Sequence, residues 1–205
     1  MTMFALEDLK LDKVSKRQIA RYSQMPDFQK SELGFYNNTH FFFPYSTNKS
    51  FGYNSEKLNA LEKFKEHFKE ILYAKDKNTF FKSIGYTIHY LQDASVPVHT
   101  EAGGIIHKIF KYRTHTNFEK HPIYGATAKL DLLIKNHKEE TKPHKSFLDL
   151  FMDTASFAQK PEYKVTRFNK DKWTNIQQDC FSKGVNSTKE FLLTIFKLKD
   201  CFLQN

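Results

Sequence analysis

The chain has 205 residues, of which 40% are hydrophobic and 27% are charged. This length is enough to bury one core, and the lack of any run of eighteen apolar residues excludes a transmembrane helix. Thirty-two Lys and Arg against 23 Asp and Glu give a formal net charge of +9. That charge favours anionic partners such as nucleic acid, acidic lipid headgroups or phosphorylated substrates, although solvated lysines alone would give the same number.

The composition favours helices, because only seven Gly and six Pro occur among plentiful Lys, Glu, Leu and Phe. The N-terminal stretch has neither the basic start nor the long apolar region of a signal peptide. Either the protein is made without such a peptide, or this chain begins downstream of it. The two cysteines can form at most one bridge and say little about the compartment.

The first predicted elements are one helix or two short ones in residues 3–24, ended by Pro26. Asp27 follows this end, and its context alone favours a solvent-exposed loop acid. Residues 28–54 are rich in helix breakers and predict a long aromatic loop. Within the loop, three phenylalanines directly follow His40 and would hold it against the core. A lone histidine there is more often structural than a ligand, unless other ligands converge on it.

Two long helices are predicted next. The first is amphipathic, runs from Ser55 to about Tyr73, and places His67 at the edge of the core. The second runs from Phe80 to about Ala94, after an N-cap at Asn78 or Thr79. It is apolar nearly all round except for one histidine and one aspartate, which indicates a buried polar site.

Two histidine–carboxylate pairs in this region are candidate metal ligands. His89 and Asp93 are four residues apart, and so are His115 and Glu119. On a helix, this spacing puts both side chains of a pair on one face. An imidazole and a carboxylate at this spacing form half of a divalent metal site, for which zinc is the usual occupant. The alternative is a purely structural role, in which the pairs are hydrogen-bonded polar residues of the core.

A further histidine follows the first pair. Pro97 is expected to stop the helix, and His99 then turns back from the following loop. His107 and His121 are alternative ligands in this region. We rank them below His115, because one lies in a predicted loop and the other directly precedes a proline.

The rest of the chain predicts helices at residues 126–139, from Ser146 to about Ala158, and after an N-cap at Asp171. No repeat, low-complexity tract or linker interrupts the sequence. The predicted architecture is therefore a single all-α domain over residues 1–205, with a long aromatic loop.

The order and gaps of these residues resemble the pattern of the zinc-dependent phospholipase C family and its relatives, the fungal zinc nucleases that cut single strands. The resemblance covers roughly residues 10–200, and its central motif is much more specific than its flanks. The matching residues are Asp27, His40 with the aromatics that follow it, His89, Asp93, Pro97, His99, His115 and Glu119.

The resemblance implies an all-α bundle with a zinc cluster in a cleft. One zinc would be held by Asp27, His40, His89 and Asp93, and a second by His99, His115 and Glu119. The family's third zinc uses an N-terminal Trp and a nearby His that are absent here. We therefore expect that this chain starts a few residues late, that it holds two zincs, and that a third binds only with further N-terminal residues.

The activity implied by the resemblance is zinc-dependent hydrolysis of a phosphodiester. Asp27 would bind zinc and orient or deprotonate the attacking water, and Phe28 would line the headgroup pocket. Glu119 as the last ligand is similar to the phospholipases, whereas the nucleases tend to carry Asp there. We therefore expect cleavage of a phospholipid headgroup. The alternatives are a single-strand zinc nuclease and a catalytically inactive zinc-binding interaction or effector module.

The expected partners follow from this activity. They are a phospholipid or another anionic phosphodiester, with peripheral contact to a membrane, for a protein that acts as a monomer. The family resemblance implies secretion if the N-terminus is truncated, and the sequence otherwise leaves the compartment open.

Overall fold

The computed structural model of the chain describes residues 1–7, 9–28, 60–100, 114, 117–121, 144–166 and 168–198, with the backbone alone for Asp27 and Phe28. These ranges are mostly helical and contain no β-strand, which confirms the predicted all-α class. The aromatic loop after residue 28 and the helix predicted at 126–139 lie outside the described residues. The single domain stays a prediction.

Eight α-helices lie in the described ranges. They are α1 (Thr2–Leu6), α2 (Lys13–Tyr22), α3 (Met25–Phe28), α4 (Ala60–Tyr73), α5 (Lys77–Ala94), α6 (Pro97–Thr100), α7 (Phe147–Ala158) and α8 (Trp173–Leu198). Two short 3-10 helices, Pro161–Tyr163 and Lys170–Lys172, precede α8. None of the described helices is both long enough and apolar enough to cross a bilayer.

Of three predicted helix N-caps in the described residues, one is confirmed and two are wrong. Ser146 caps α7 as predicted, because its hydroxyl accepts a hydrogen bond from the Asp149 backbone N–H. For α5 the predicted cap is wrong: the Asp76 carboxylate accepts from both the backbone N–H and the hydroxyl of Thr79. Asp171 was also wrongly placed, since it lies inside the second 3-10 helix.

Both helices that a proline was predicted to stop do end before it, α5 at Ala94 as predicted, but each proline also lies in the first turn of a further helix. α2 already ends at Tyr22, and Pro26 lies inside α3, so that Asp27 belongs to a short helix rather than a loop. α5 likewise ends at Ala94, and Pro97 opens α6, which carries His99. Proline fits the first turn of a helix, because the N–H that it lacks has no partner there in any case.

Helix α5 forms the centre of the fold, and α2, α4, α7 and α8 all pack against it. Side chains on nearly every face of α5 are buried, as expected of a helix that is apolar all round. The core around it includes Phe64, whose ring centroid lies 5.0 Å from that of Phe151 and 6.0 Å from that of Phe191. Any polar side chain on α5 is therefore buried as well, and it needs partners inside the protein.

A second, smaller hydrophobic cluster lies beside this core. It joins α6, residues 117–119, the segment before α8, and α8 itself, through Val98, Phe118, Val165, Trp173, Ile176 and Cys180. Val98 precedes His99, and Phe118 precedes Glu119. The small cluster therefore fixes the two segments that carry these candidate ligands.

Gly85 sets how closely α2 approaches α5. A Cβ atom at this position would lie 2.4 Å from Tyr22 Cβ, 2.8 Å from the Tyr22 carbonyl carbon and 2.9 Å from the Ser23 backbone nitrogen. Two of these atoms belong to the backbone, so the helices would have to move apart. Gly184 is less constrained, because a Cβ there would meet only side-chain atoms of Met1 and Ser95.

We predict that Gly85→Ala destabilises the protein by about 1–3 kcal/mol, since overpacking outweighs the helix propensity that alanine adds. Urea unfolding followed by circular dichroism measures the change. Gly184→Ala is the matched control in a helix and should cost less. Equal losses of unfolding free energy in the two variants would show that the close approach of α2 to α5 at Gly85 is not what makes the substitution destabilising.

Candidate metal centre

Four of the predicted ligands lie in one row in which imidazoles and carboxylates alternate. Nε2 of His89 lies 3.3 Å from Oδ2 of Asp93, and Oδ1 of Asp93 lies 3.1 Å from Nδ1 of His99. At the other side of the His99 ring, Nε2 lies 3.0 Å from Oε1 of Glu119. Residues separated by up to thirty positions in the chain thus form one continuous polar arrangement.

The row runs from the interior of the protein to its surface. His89, Asp93 and His99 are buried, with at most 9% of each residue exposed. The side chain of Glu119 is 44% exposed. A small ligand could therefore reach the row from the side of Glu119, while the inner residues stay shielded from water.

The orientation of His89 is fixed by a backbone carbonyl. Its Nδ1 lies 2.9 Å from the carbonyl oxygen of Ser23, and a carbonyl oxygen can only accept a hydrogen bond. Nδ1 therefore carries the hydrogen, and a neutral His89 directs the Nε2 lone pair at the Asp93 carboxylate. Two acceptors that face each other need a cation between them, either a proton or a metal ion.

A buried polar network holds Ser23 behind His89. The hydroxyls of Ser23 and Thr2 share a hydrogen bond of 2.8 Å. The side-chain amide of Gln92 donates to the hydroxyls of Thr2 and Thr188, at 3.1 and 3.2 Å. Helices α1, α5 and α8 thus all contribute to the support of this imidazole.

His99 lies between two carboxylates. Its burial opposes the charged imidazolium, but the Asp93 and Glu119 carboxylates outweigh this effect and raise the pKa of His99 to about 10. Without a metal, the imidazole is therefore protonated on both nitrogens at neutral pH. One proton faces each carboxylate.

Two glutamines hold the segments that carry the outer ligands. Nε2 of Gln177 in α8 donates to the carbonyl oxygens of Phe118 and His121, at 2.6 and 3.1 Å, on either side of Glu119. Nε2 of Gln159 donates to the carbonyl oxygen of Thr100 at 2.9 Å, directly after His99. Neither glutamine could be predicted from the sequence, because contacts 56 to 59 residues apart leave no local pattern.

The remaining predicted site residues are not described in full. Asp27 and Phe28 lie in α3, with their side chains outside the description, and His40 and His115 lie outside the described residues altogether. The alternative ligand His107 is outside them too. His121 does not join the row: its Nε2 lies 3.2 Å from the Thr174 hydroxyl, and its ring packs against Trp173.

Within the described ranges, no group of three or more His, Cys, Asp or Glu side chains is arranged to hold one metal ion. The four residues of the row instead contact one another in consecutive pairs. Each predicted zinc has only two ligands with described side chains, so a group of three is not expected in this part of the chain.

A second histidine–carboxylate cluster joins His144, which precedes α7, to residues of α7 and α8. Nδ1 of His144 lies 2.9 Å from Glu190, and Nε2 lies 3.4 Å from Asp153. The Lys183 ammonium also pairs with Asp153, and it lowers the pKa of this half-exposed carboxyl against the opposing effect of burial. Since a lysine already supplies positive charge, this cluster is a useful control for the row.

A cavity of about 430 Å³ lies on the same side as this second cluster. It is bounded by α4, α7 and α8, and its lining includes Phe64, Phe68, His144, Phe147, Glu190 and Leu198. No residue of the row lines it. The cavity and the candidate metal centre are thus separate features of the fold.

Comparison with known proteins gives no relative. No protein-family profile, curated protein or solved structure matches the chain. The family resemblance of the sequence thus stays a prediction, and the row of side chains is the observation that bears on function.

We predict a pH-dependent stability of the metal-free protein. Because the folded pKa of His99 is about 10 and the unfolded value is 6.5, its contribution is full below pH 6.5 and is lost as the pH rises towards 10. Urea unfolding in EDTA from pH 6 to 10 should show the excess stability of wild type over His99→Gln shrinking by a few kcal/mol. A pH-independent difference would contradict the ion pairs.

Proposed function

We propose that the chain is a zinc-dependent phosphodiester hydrolase that cleaves phospholipid headgroups in the manner of a phospholipase C. The observation that carries this proposal is the alternating row of His89, Asp93, His99 and Glu119. It unites residues that the family resemblance assigns to two neighbouring zinc ions. The other three proposed ligands are Asp27, His40 and His115.

The donor set and the spacing of its atoms suit zinc. Imidazole nitrogen and carboxylate oxygen are common zinc ligands, and two ligand atoms about 2.0–2.1 Å from a tetrahedral zinc are roughly 3.3 Å apart. The His89–Asp93 and His99–Glu119 contacts, at 3.3 and 3.0 Å, fall near this separation. Each contact could therefore open into half of a coordination shell with small side-chain movements.

Asp93 links the two proposed zinc sites. Its Oδ2 faces His89, while its Oδ1 faces Nδ1 of His99. The Ser23 carbonyl accepts a hydrogen bond from Nδ1 of His89 and leaves Nε2 of this ring available. His89 is thus held in the tautomer that zinc binding at Nε2 requires.

The chemistry of the site would then be metal-assisted hydrolysis. Zinc bound there supplies positive charge for the phosphate oxygens and lowers the pKa of a bound water towards ~7. Among the residues of this chain, Asp27 would orient or deprotonate that water, and Phe28 would contact the headgroup. Glu119, at the exposed end of the row, favours the lipid over the nucleic-acid substrate, because the resemblance places Glu at this position in the phospholipases.

We predict that the purified protein holds up to two zinc ions per chain and hydrolyses phosphatidylcholine vesicles or a soluble aryl phosphodiester. Asp93→Asn should lower both the zinc content and the turnover, the latter by at least about 100-fold, because this carboxylate serves both sites. Elemental analysis and product release measure the two effects. Asp153→Asn removes a carboxylate from the His144 cluster and is the matched control that should change neither.

Three outcomes of this experiment lead to different conclusions. Cleavage of single-stranded DNA without cleavage of phospholipid would replace the substrate by nucleic acid. Two zincs with no hydrolysis of any diester would favour an interaction or effector module. No zinc in the wild type would overturn the metal centre itself.

We also predict that zinc binding at pH 7 releases about one proton from His99, because the Nε2 proton must leave before the nitrogen can bind a metal. Isothermal titration in buffers of different ionisation enthalpy should give apparent binding enthalpies that differ in proportion. The affinity should accordingly rise with pH. An enthalpy that is independent of the buffer would show that His99 does not exchange its proton for the metal.

A further inference from the structure

The exposed side of α2 carries three cations and one apolar side chain. Lys13, Arg17 and Arg21 are exposed, and Val14 is 72% exposed. The three cations are four residues apart, so they follow one side of the helix with a rise of about 6 Å from each to the next. None of the ten residues of α2 is an Asp or a Glu. We call the surface formed by Lys13, Arg17 and Arg21 the basic face.

Contacts on the other sides of α2 fix the direction of the basic face. The side-chain oxygen of Asn78 in α5 accepts hydrogen bonds from Nε2 of Gln18 at 2.7 Å and from the hydroxyl of Tyr22 at 2.8 Å. The remaining cation of α2, Lys16, donates from Nζ to the backbone carbonyl oxygen of Glu7 at 2.9 Å. The helix is thus held against its neighbours with the basic face towards the solvent.

The positive charge of the basic face is not balanced within the described part of the chain, where none of its three cations forms an ion pair. The carboxylate of Asp12 precedes α2, but it is engaged as the N-cap of this helix. On α4, by contrast, Lys63 pairs with Glu66 at 2.6 Å and Lys65 pairs with Glu62 at 2.8 Å. Like charges four residues apart on a helix repel one another, and a bound anion relieves this repulsion.

The backbone of a nucleic acid fits the basic face better than a bilayer does. Duplex DNA carries one negative charge per about 1.7 Å of its axis, so a helix that lies along it brings each cation close to phosphates. The guanidinium group of arginine can also bind two phosphate oxygens at once. A polybasic lipid contact uses about four to eight clustered cations, or large apolar side chains that insert. This surface offers three cations and a valine.

We propose that Lys13, Arg17 and Arg21 bind the phosphate backbone of a nucleic acid. The exposed residues of α2 include no aromatic side chain that could stack on a base, so this contact is independent of the base sequence. The inference goes beyond the proposed function, because the binding needs neither zinc nor turnover. A chain without hydrolytic activity would still bind, and loss of this binding would leave the metal centre intact.

Fluorescence anisotropy with a labelled DNA duplex of mixed sequence tests the proposal, in EDTA so that no strand is cleaved. Arg17→Gln with Arg21→Gln should weaken binding roughly tenfold at low salt. It should also reduce the slope of log K against log salt concentration by about 1.8, since each phosphate contact contributes about 0.9. Arg17→Lys with Arg21→Lys keeps both charges and should retain the salt slope of the wild type.

The matched control lies on α4, where Lys65 and Lys69 are exposed and also four residues apart. Changing both to Gln removes the same two charges and should leave the affinity within about twofold of the wild type. Equal losses for the two Gln double variants would show that binding follows total charge, and would overturn the proposal. A wild type that does not bind DNA at low salt would do the same.

Vesicles of phosphatidylserine distinguish the nucleic acid from a membrane surface. If Arg17→Gln with Arg21→Gln abolished binding to these vesicles but left DNA binding unchanged, the basic face would be a membrane contact and the proposal would be wrong. Retention of the wild-type circular dichroism spectrum and urea midpoint shows that the variants are folded. We expect both to be retained, because the substituted side chains are exposed.

Acetylation footprinting locates the contact without any substitution. Bound duplex should protect Lys13 from an acetylating reagent, while Lys65 and Lys69 react as they do in the free protein. Mass spectrometry of the digested protein measures the extent of reaction at each lysine. Protection of the two α4 lysines without protection of Lys13 would place the DNA on another surface and overturn the proposal.

Discussion

The buried carboxylate of Asp93 is the constraint on which the candidate site depends. It lies on α5, whose other side chains fill the core, and it is 9% exposed. A charge in such a position is costly unless positive charge and hydrogen-bond donors compensate for it. The two imidazoles beside it provide this only if each presents a proton or a metal ion to it. The carboxylate is thus stabilised inside the bundle when a proton or a metal ion lies between it and each imidazole.

The sequence predicted the ends of three helices, at Tyr73, Ala94 and Ala158, better than it predicted the caps and the role of the prolines. Apolar periodicity and the scarcity of Gly and Pro were enough for the all-α class, and Ser146 was recognised as a cap. The short helices at Pro26 and Pro97 were not predicted, because a proline suits the first turn of a new helix as well as the end of an old one. Asp76 caps α5 in place of Asn78 or Thr79, because the helix begins at Lys77, before the first residue of the apolar pattern at Phe80.

The contacts of the row were predictable to the extent that its residues share one stretch of chain. His89, Asp93 and His99 belong to a short motif, and spacing alone placed them together. The groups that orient them could not be predicted from the sequence, since Ser23, Gln159 and Gln177 lie 56 to 66 residues from the groups they contact. One of them acts through a backbone carbonyl, which every residue type possesses, and no sequence pattern marks it. Helix packing decides such contacts, as the close approach at Gly85 illustrates.

The net charge of the proposed zinc-loaded centre can be compared with the charge of its proposed substrate. Two zinc ions would bring four positive charges to the proposed ligands, while the carboxylates of Asp27, Asp93 and Glu119 would supply three negative ones. The histidines would be neutral when they bind metal, so the loaded site would keep one positive charge. A phosphodiester carries one negative charge, which such a site could neutralise in a shielded environment where charges interact strongly. Two further carboxylates would make the loaded site negative, and it would then repel an anionic substrate. Three carboxylates among the proposed ligands would therefore suit the proposed phosphodiester.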